Sequence, residues 1–400
     1  MKLAEAFGAL TGKRVLVTGA TGFIGGRLVE RLILESKAKP RVLVRNLAAA
    51  ARLSRFDLEI ARGDVLDAAS VAAAIDGCDV VFHCAYGTSG SQRHRAGVNR
   101  LGTQRLLTAA QRSRVERLVH LSTLMVYGKT ADGDLDESNP RRRFGNAYSD
   151  SKLDAERAVL AAARRGEVAA TVLQPTAVYG PYGGVWTEQV LRSLQSGRMI
   201  LVDGGTGLAN HVYVDDLVSS MVLAAVRPEA VGEAFLVSSA EPASWREMVG
   251  CFEHMVGACR TVAMTAEEAR SHWRQTQSQR PRALGQLLAA VKSDRALRER
   301  LLESREILPL RELASTLLPE RWQQRLKRGL GMGAKAHVPP REAPGEPPIH
   351  PLSPLMIEFF STKTRVSIEK ARRLLGYEPA FDLTSGMALT GAWARWADLI

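Results

Sequence analysis

The 400-residue chain is poor in cysteine and has no long apolar run, and both absences narrow its class. Its four cysteines, Cys78, Cys84, Cys251 and Cys259, are too few for a disulfide scaffold, and their spacing does not suit a zinc site. We therefore expect reduced, structural thiols and no metal site. No stretch reaches the roughly 18 to 20 consecutive apolar residues that a membrane span requires.

The N-terminus also lacks the apolar run of a secretory signal, because Glu5, Lys13 and Arg14 interrupt it. With 46% hydrophobic and 24% charged residues, the composition is that of a globular protein with a large core. We expect a cytoplasmic protein of two or three domains, or one large α/β domain with additions.

Positive charge is concentrated in one part of the chain. Residues 265–335 hold 15 basic and 8 acidic side chains, which accounts for over half of the net charge of +12. No nucleic-acid-binding motif or interleaved aromatics accompany these arginines, so we expect no nucleic-acid partner. Leucine stripes in this part, among residues 284–291 and 310–318, indicate either a lid or membrane-surface element over residues 266–330 or helices packed on the substrate lobe.

Short β-branched runs alternate with helix-like segments in the first half, which predicts a Rossmann-type, doubly wound parallel sheet of the α/β class. The predicted strands are Arg14 to Val17, Arg41 to Val44, Leu58 to Ala61, Val80 to Cys84, Leu118 to Leu121 and Ala170 to Gln174. The predicted helices are Phe23 to Glu35, Ala68 to Ile75, Val98 to Arg112 and Ala147 to Arg165.

Four parts follow from this pattern. Residues 1–175 form the predicted dinucleotide-binding domain, and residues 176–263 with 355–400 form a smaller C-terminal substrate lobe. Residues 264–337 are the predicted basic helical insertion. Residues 338–354 hold seven of the 17 prolines and are predicted to be an extended connector.

Three glycines in the run GATGFIG, namely Gly19, Gly22 and Gly25, directly follow the first predicted strand and open a helix. Glycine permits a tight turn and close backbone approach, and a helix N-terminus offers free N–H groups to a pyrophosphate. Because the strand precedes and the helix follows, this run predicts a dinucleotide site.

The end of the second strand should meet the adenosine ribose of such a cofactor. Arg45 stands there with no adjacent carboxylate, which favours NADP(H), with NAD(H) as the alternative. After the third strand, the Asp64 carboxylate either accepts a hydrogen bond from the adenine amino group or caps the next helix.

Tyr148 and Lys152 lie four residues apart in a predicted helix, so both project from one face. A neighbouring ammonium favours the phenolate, and we expect it to lower the pKa of Tyr148 from its ordinary value near 10. Thr123 follows the strand that ends at Leu121, where strand ends meet ligands, and its hydroxyl can bond a substrate oxygen.

These motifs together resemble an extended short-chain dehydrogenase/reductase, the superfamily often labelled NAD-dependent epimerase/dehydratase. The resemblance covers about residues 12–260 and a returning tail near residues 368–379. It is carried by TGATGFIG at 18–25, VFHCA at 81–85, VNRLGT at 98–103, STLMVYG at 122–128, Tyr148-x-x-x-Lys152 and VYGP at 178–181.

The resemblance implies a role for each matching residue. Thr123 is the hydroxyl partner, Tyr148 is the acid/base, and Lys152 is the ribose ligand and phenolate stabiliser. Asn99 either lies beside the cofactor or only caps a helix. The remaining implied cofactor contacts are Thr21, Phe23, Ile24, Val65, Cys84, Ala85, Pro175 and Val178.

Several departures from the superfamily's patterns narrow the expected reaction. Sugar-nucleotide dehydratases carry Asp-Glu after the catalytic Thr, whereas this chain has Leu124 and Met125, so dehydration by that route is disfavoured. Ala177 and Ala209 stand where nucleotide-sugar enzymes hold a diphosphate with Asn and Arg. The run Asn210 to Leu217 is similar to that of the 3β-hydroxysteroid dehydrogenase-like branch, whose substrates are often apolar.

The sequence thus predicts an NAD(P)-dependent oxidoreductase that interconverts a secondary alcohol and a ketone on a small-molecule substrate. A nucleotide-sugar 4-epimerase would use the same Thr, Tyr and Lys set and is the first alternative. A non-catalytic dinucleotide-binding scaffold or sensor is the second. By resemblance we expect a homodimer.

Overall fold

The computed structural model describes residues 2–87, 91–278 and 346–400. Seven parallel strands form the central sheet, in the order β12-β7-β5-β4-β1-β2-β3. The strands of this sheet are β1 (Arg14–Thr18), β2 (Lys39–Val44), β3 (Glu59–Arg62), β4 (Val80–His83), β5 (Arg117–Leu121), β7 (Ala170–Pro175) and β12 (Ala234–Val237). The predicted doubly wound parallel sheet is confirmed.

Helices cover both faces of this sheet, and β1 shows how the sequence produces that arrangement. Val15 and Val17 point into one core, while Leu16 between them points into the core on the opposite face. Because side chains alternate along a strand, a continuous apolar run buries both faces. The helices of this part are α1 (Leu3–Gly8), α2 (Phe23–Arg31), α3 (Ala68–Ile75), α4 (Gln92–Gly97), α5 (Thr103–Arg112), α6 (Ala147–Arg164) and α8 (Val214–Val226).

The second lobe is built from short strands and the five helices named below. Its strands pair in twos, β15 with β6, β8 with β11, β9 with β14 and β10 with β13. These strands are β6 (Gly133–Leu135), β8 (Ala177–Tyr179), β9 (Met199–Val202), β10 (Leu208–Ala209), β11 (His211–Tyr213), β13 (Ala243–Ser244), β14 (Thr261–Met264) and β15 (Thr364–Val366). The helices are α7 (Gln189–Ser196), α9 (Trp245–Val256), α10 (Pro354–Ser361), α11 (Glu369–Leu375) and α12 (Leu383–Trp396), of which α11 packs on the core under α8.

The sequence-based elements differ from the structure in three places. The predicted helix Phe23 to Glu35 is α2 continued by a π-helical turn, Leu32–Ser36. The predicted helix Val98 to Arg112 begins earlier, at Gln92, and passes through a π-turn at Val98–Gly102. Strand β12 joins the main sheet although it lies beyond residue 175, the predicted end of the dinucleotide-binding domain.

Only the ends of the predicted insertion and connector fall within the described residues. Residues 266–278 are helical. Residues 346–353 carry no helix or strand beyond an isolated bridge between Arg198 and Ile349, and the extended connector over residues 338–354 stays a prediction. Both leucine stripes lie outside the described residues, as does most of the segment considered for membrane contact.

All four cysteines lie in the described residues and are unpaired. No helix of the described part has the length and apolar content that crossing a bilayer takes.

Candidate active site

The predicted glycine loop packs closely against the end of β4. Gly19 has φ +72°, and a Cβ there would lie 2.7 Å from the backbone nitrogen of Ala85. A Cβ on Gly25 would lie 2.4 Å from the Gly19 carbonyl oxygen. Because backbone atoms cannot yield to such contacts, glycine is needed at both positions. The glycine loop therefore lies directly against Cys84 and Ala85, two of the predicted cofactor contacts.

Helix α2 begins directly after this loop. Gly22 is the N-cap of the helix, and both Thr21 and Gly22 are exposed. Phe23 and Ile24 in the first turn are half-buried against the second lobe. The first N–H groups of a helix carry a partial positive charge that suits an anion. The loop and helix start thus fit the pyrophosphate of a dinucleotide.

Arg45 and Asp64 lie next to each other at the ends of β2 and β3. The Arg45 guanidinium is 3.7 Å from the Asp64 carboxylate, and the two side chains are 54% and 36% exposed. Asp64 accepts a hydrogen bond from the backbone of Leu66, whereas Asp67 caps α3. The interpretation of Asp64 as the cap of the next helix was therefore wrong, and both side chains remain available to a ligand.

Three other predicted cofactor contacts are more enclosed. Val65 is 8% exposed and belongs to the core beneath α3 and α5. Pro175 ends β7 and is buried beside β12, and Val178 is half-buried in β8. Their role toward a cofactor stays a prediction.

Tyr148 stands in the first turn of α6 with its hydroxyl close to Thr123. The Asn146 side chain caps this helix by accepting a hydrogen bond from the Ser149 N–H. The Tyr148 ring packs edge-on against Tyr86, with 6.3 Å between the ring centroids. Sequence reasoning did not single out Tyr86, although it directly follows the motif that ends at Ala85.

Lys152 lies one turn along α6 and is buried. Its Nζ donates a hydrogen bond of 2.5 Å to the backbone carbonyl of Leu121, the last residue of β5. Burial lowers the pKa of Lys152 to about 8, while Cys84 and Glu156 act in the opposite direction. The side chain therefore lies near its titration point at neutral pH.

The pKa of Tyr148 is raised rather than lowered. Desolvation of the hydroxyl raises it to about 12, with a further rise from Tyr86, and a hydrogen bond with the Thr123 side chain opposes the shift. The expected lowering by Lys152 was wrong for the protein alone, because the lysine is directed to Leu121 and desolvation of the hydroxyl dominates, although Tyr148 as a whole is 41% exposed.

Asn99 does not cap a helix. It lies within the π-turn between α4 and α5 and is 3% exposed. Its Oδ1 accepts from the Gly87 N–H at 3.1 Å, and its Nδ2 donates to Ser151 Oγ at 2.9 Å. Asn99 thus connects the loop after β4 to α6 beside Tyr148.

A buried carboxylate lies under this site that sequence reasoning missed. Glu156 is fully buried and accepts hydrogen bonds from Ser122 at 2.6 Å, Gln174 at 2.9 Å and Arg141 at 2.7 Å. Its position was readable from the sequence, since Tyr148, Lys152 and Glu156 recur every four residues on one face of α6.

A cavity of about 240 Å³ opens beside Tyr148 between α4 and the start of α6. Its lining includes Arg95, Asn99, Asn146, Tyr148 and Ser151. Within the described ranges, no group of three or more His, Cys, Asp and Glu side chains is placed to hold a metal ion.

Comparison with known proteins points to one family. Residues 15–238 match the model of the NAD dependent epimerase/dehydratase family. A ketoreductase of Stigmatella aurantiaca, which acts on a 4-hydroxy-2-methyl-3-oxo-4-farnesyl-3,4-dihydroquinoline-1-oxide, is 32% identical over 59% of this chain and 71% of its own length.

Two further similarities agree with this. A 3β-hydroxysteroid dehydrogenase/Δ5→4-isomerase of Mycobacterium tuberculosis is 33% identical over 57% of this chain, and the match spans 65% of that protein. The solved structure of an epimerase from Methanothermobacter thermautotrophicus aligns with a TM-score of 0.69 at 20% identity, over 99% of this chain and 97% of the other. This last likeness concerns the fold.

Proposed function

Because the chain belongs to the NAD-dependent epimerase/dehydratase family and is an extended short-chain dehydrogenase/reductase, we propose that it interconverts a secondary alcohol and a ketone. The observation that carries the proposal is the placement of Tyr148 beside Thr123, with Lys152 one turn further along the same helix. The glycine loop at the start of α2 is the proposed cofactor site.

In this proposal the bound dinucleotide supplies hydride exchange at its nicotinamide. Tyr148 gives its hydroxyl proton to the ketone oxygen during reduction and takes it back during oxidation. Thr123 orients the substrate oxygen by a hydrogen bond. Lys152, held by burial near its titration point, stabilises the phenolate by its charge and contacts the ribose.

By resemblance, Ala177 and Ala209 stand where nucleotide-sugar enzymes hold a diphosphate. Both residues are buried, with 3% and 0% exposure, and an alanine side chain cannot bond a phosphate. This supports a substrate other than a simple nucleotide sugar. The names of the ketoreductase and the hydroxysteroid dehydrogenase above favour oxidoreduction at a ketone or secondary alcohol.

NADP(H) is the proposed cofactor because exposed Arg45 stands at the end of β2, with NAD(H) as the alternative. A homodimer, a cytoplasmic location and a small-molecule substrate complete the proposal. Contact with a membrane surface through residues 266–330 stays an open prediction.

The proposal is tested by supplying NADPH or NADH with a panel of ketones and following absorbance of the reduced cofactor. Stoichiometric cofactor consumption supports the oxidoreductase. Cofactor that copurifies and is never consumed, together with inversion of a sugar hydroxyl, would instead show the epimerase.

Tyr148→Phe is the decisive variant. Loss of the phenol proton should lower kcat/KM by about 100- to 10,000-fold, while cofactor affinity measured by fluorescence stays within about twofold. Tyr86→Phe is the matched control, since it keeps the ring that packs on Tyr148. Undiminished turnover by the Tyr148→Phe protein would refute the assignment.

A further inference from the structure

The cavity beside Tyr148 is lined by small and polar residues rather than by large apolar side chains. Its nine lining residues include no large aliphatic side chain and no carboxylate, and their one charged member is Arg95. At about 240 Å³ it is smaller than a typical ligand pocket of about 300 to 1,000 Å³, so it suits one end of a molecule.

Close backbone packing and hydrogen bonds fix the wall of the cavity that carries Arg95. A Cβ on Gly87 would lie 2.4 Å from the Arg95 Cα, so the loop after β4 lies directly on α4. Asn99 ties this loop to Ser151, and the Ser151 hydroxyl bonds the Tyr148 carbonyl at 2.8 Å. The cavity wall and the first turn of α6 are therefore one connected unit.

The cavity offers several N–H donors to a ligand. Arg95 makes no ion pair within the part of the chain that the structure describes. Asn146 uses its Oδ1 to cap α6, which leaves its NH₂ group for a ligand, and Gln92 contributes a further amide. A single guanidinium with neighbouring amide donors matches a carboxylate, which one arginine binds through two parallel hydrogen bonds.

We propose that this cavity binds the carboxylate end of the substrate with Arg95 as its counter-ion, so that the substrate class is a hydroxy or keto acid. This inference rests on the proposed function, because it takes Tyr148 as the residue at the reacting carbonyl. Arg95 is then the residue that determines specificity for the acid over its neutral derivatives.

The test compares 3-oxohexanoate with its methyl ester as substrates of wild type, Arg95→Gln and Arg93→Gln. Arg93 is an exposed neighbour on α4 outside the cavity lining, so its variant controls for net charge. Wild type should favour the acid. Arg95→Gln should raise KM for the acid by about 10- to 100-fold, leave kcat within about twofold and leave the ester unaffected. Equal effects of Arg95→Gln on acid and ester would overturn the proposal.

Calorimetric binding of hexanoate, which cannot be reduced at a ketone, separates this inference from the proposed function. Binding that Arg95→Gln weakens and Arg93→Gln does not supports the carboxylate site, even if no ketone is turned over and the oxidoreductase proposal fails. If wild type does not bind hexanoate, or if both variants bind it as tightly as wild type, the carboxylate site is refuted. The proposal of ketone reduction is unaffected by that result.

Discussion

Arg45 is the residue on which cofactor choice depends most directly. Its guanidinium lies at the end of β2, 3.7 Å from Asp64, and both groups are accessible to a ligand. Arg45→Asp replaces a cation suited to a 2′-phosphate by a carboxylate suited to a ribose hydroxyl pair. We expect kcat/KM for NADPH to fall at least about tenfold and the value for NADH to rise.

Steady-state kinetics with both cofactors check this, with Arg112→Asp at the exposed end of α5 as the control for the change of charge. Equal kinetics with NADPH and NADH, before and after the Arg45 substitution, would count against the role of this residue.

Glu156 shows how a single buried carboxylate supports the proposed site without reaching it. Its partners Ser122 and Gln174 belong to or follow the strands that end at the site, and Arg141 neutralises it. Glu156→Gln leaves Arg141 without its ion pair and Ser122 without a charged acceptor. The free energy of unfolding should fall by about 3 kcal/mol.

Asp154→Asn provides the comparison. Asp154 pairs with Arg143, whose side chain is 57% exposed, and breaking such a surface pair should cost less than about 1 kcal/mol. Urea unfolding of both variants measures the difference. Similar losses in the two would mean that burial of Glu156 contributes little.

At the scale of elements, the sequence predicts what depends on local periodicity and misses what depends on neighbours distant in the chain. All six predicted strands are found, and apart from the exposed edge strand β3 their apolar runs are buried on both faces. Strand β12 was missed because Ala234 to Val237 is short and lies among second-lobe segments, and only its pairing with β7 makes it a sheet strand.

The candidate site likewise has features that local sequence predicts and features that depend on residues distant in the chain. The glycines, Tyr148 and Lys152 were identified by their spacing, which one element determines. The direction of the Tyr148 pKa shift was not, because it depends on desolvation of the hydroxyl and on Tyr86, which lies far from Tyr148 in the sequence. Arg95 and Asn99 acquire their surroundings from the fold of the loop after β4 onto α4.

The turn from β1 to α2 requires glycine at position 25, and this requirement can be tested by substitution. Gly25→Ala places a methyl group 2.4 Å from the Gly19 carbonyl oxygen, so the loop and the helix must separate. We expect a loss of about 1 to 3 kcal/mol in unfolding free energy and at least about tenfold weaker cofactor binding.

Gly250→Ala in the middle of α9 is the matched control. A Cβ there meets nothing within 4 Å, so the substitution should raise stability by about 0.5 to 1 kcal/mol. Thermal unfolding of the two variants checks the expected loss of stability in Gly25→Ala and the expected gain in Gly250→Ala. Cofactor titration checks the weaker binding by Gly25→Ala. An unperturbed cofactor affinity in Gly25→Ala would show that the loop does not hold the dinucleotide.

For the whole molecule, buried histidines couple folding to pH. Burial lowers the pKa of His83 to about 3 and of His211 to about 4, and it lowers the pKa of His120 well below its ordinary value. Below about pH 6.5 these histidines become protonated in the unfolded chain but stay neutral in the folded chain. The free energy of unfolding is therefore highest above that pH and decreases as the pH falls. Asp216, whose pKa burial raises to about 6, acts with the opposite sign.

His120 isolates one part of this effect because neither ring nitrogen has a hydrogen-bond partner in the described structure. His120→Leu therefore removes no bond, and its unfolding free energy at pH 7.5 should equal or exceed that of wild type. Below pH 6.5 it should lose less stability than wild type, by at most about 1.4 kcal/mol per pH unit. Urea unfolding at several pH values measures this, with exposed His254 on α9 substituted as the control. Parallel curves for His120→Leu and wild type would show that His120 is protonated in the folded protein, because only then would the substitution leave the pH dependence unchanged.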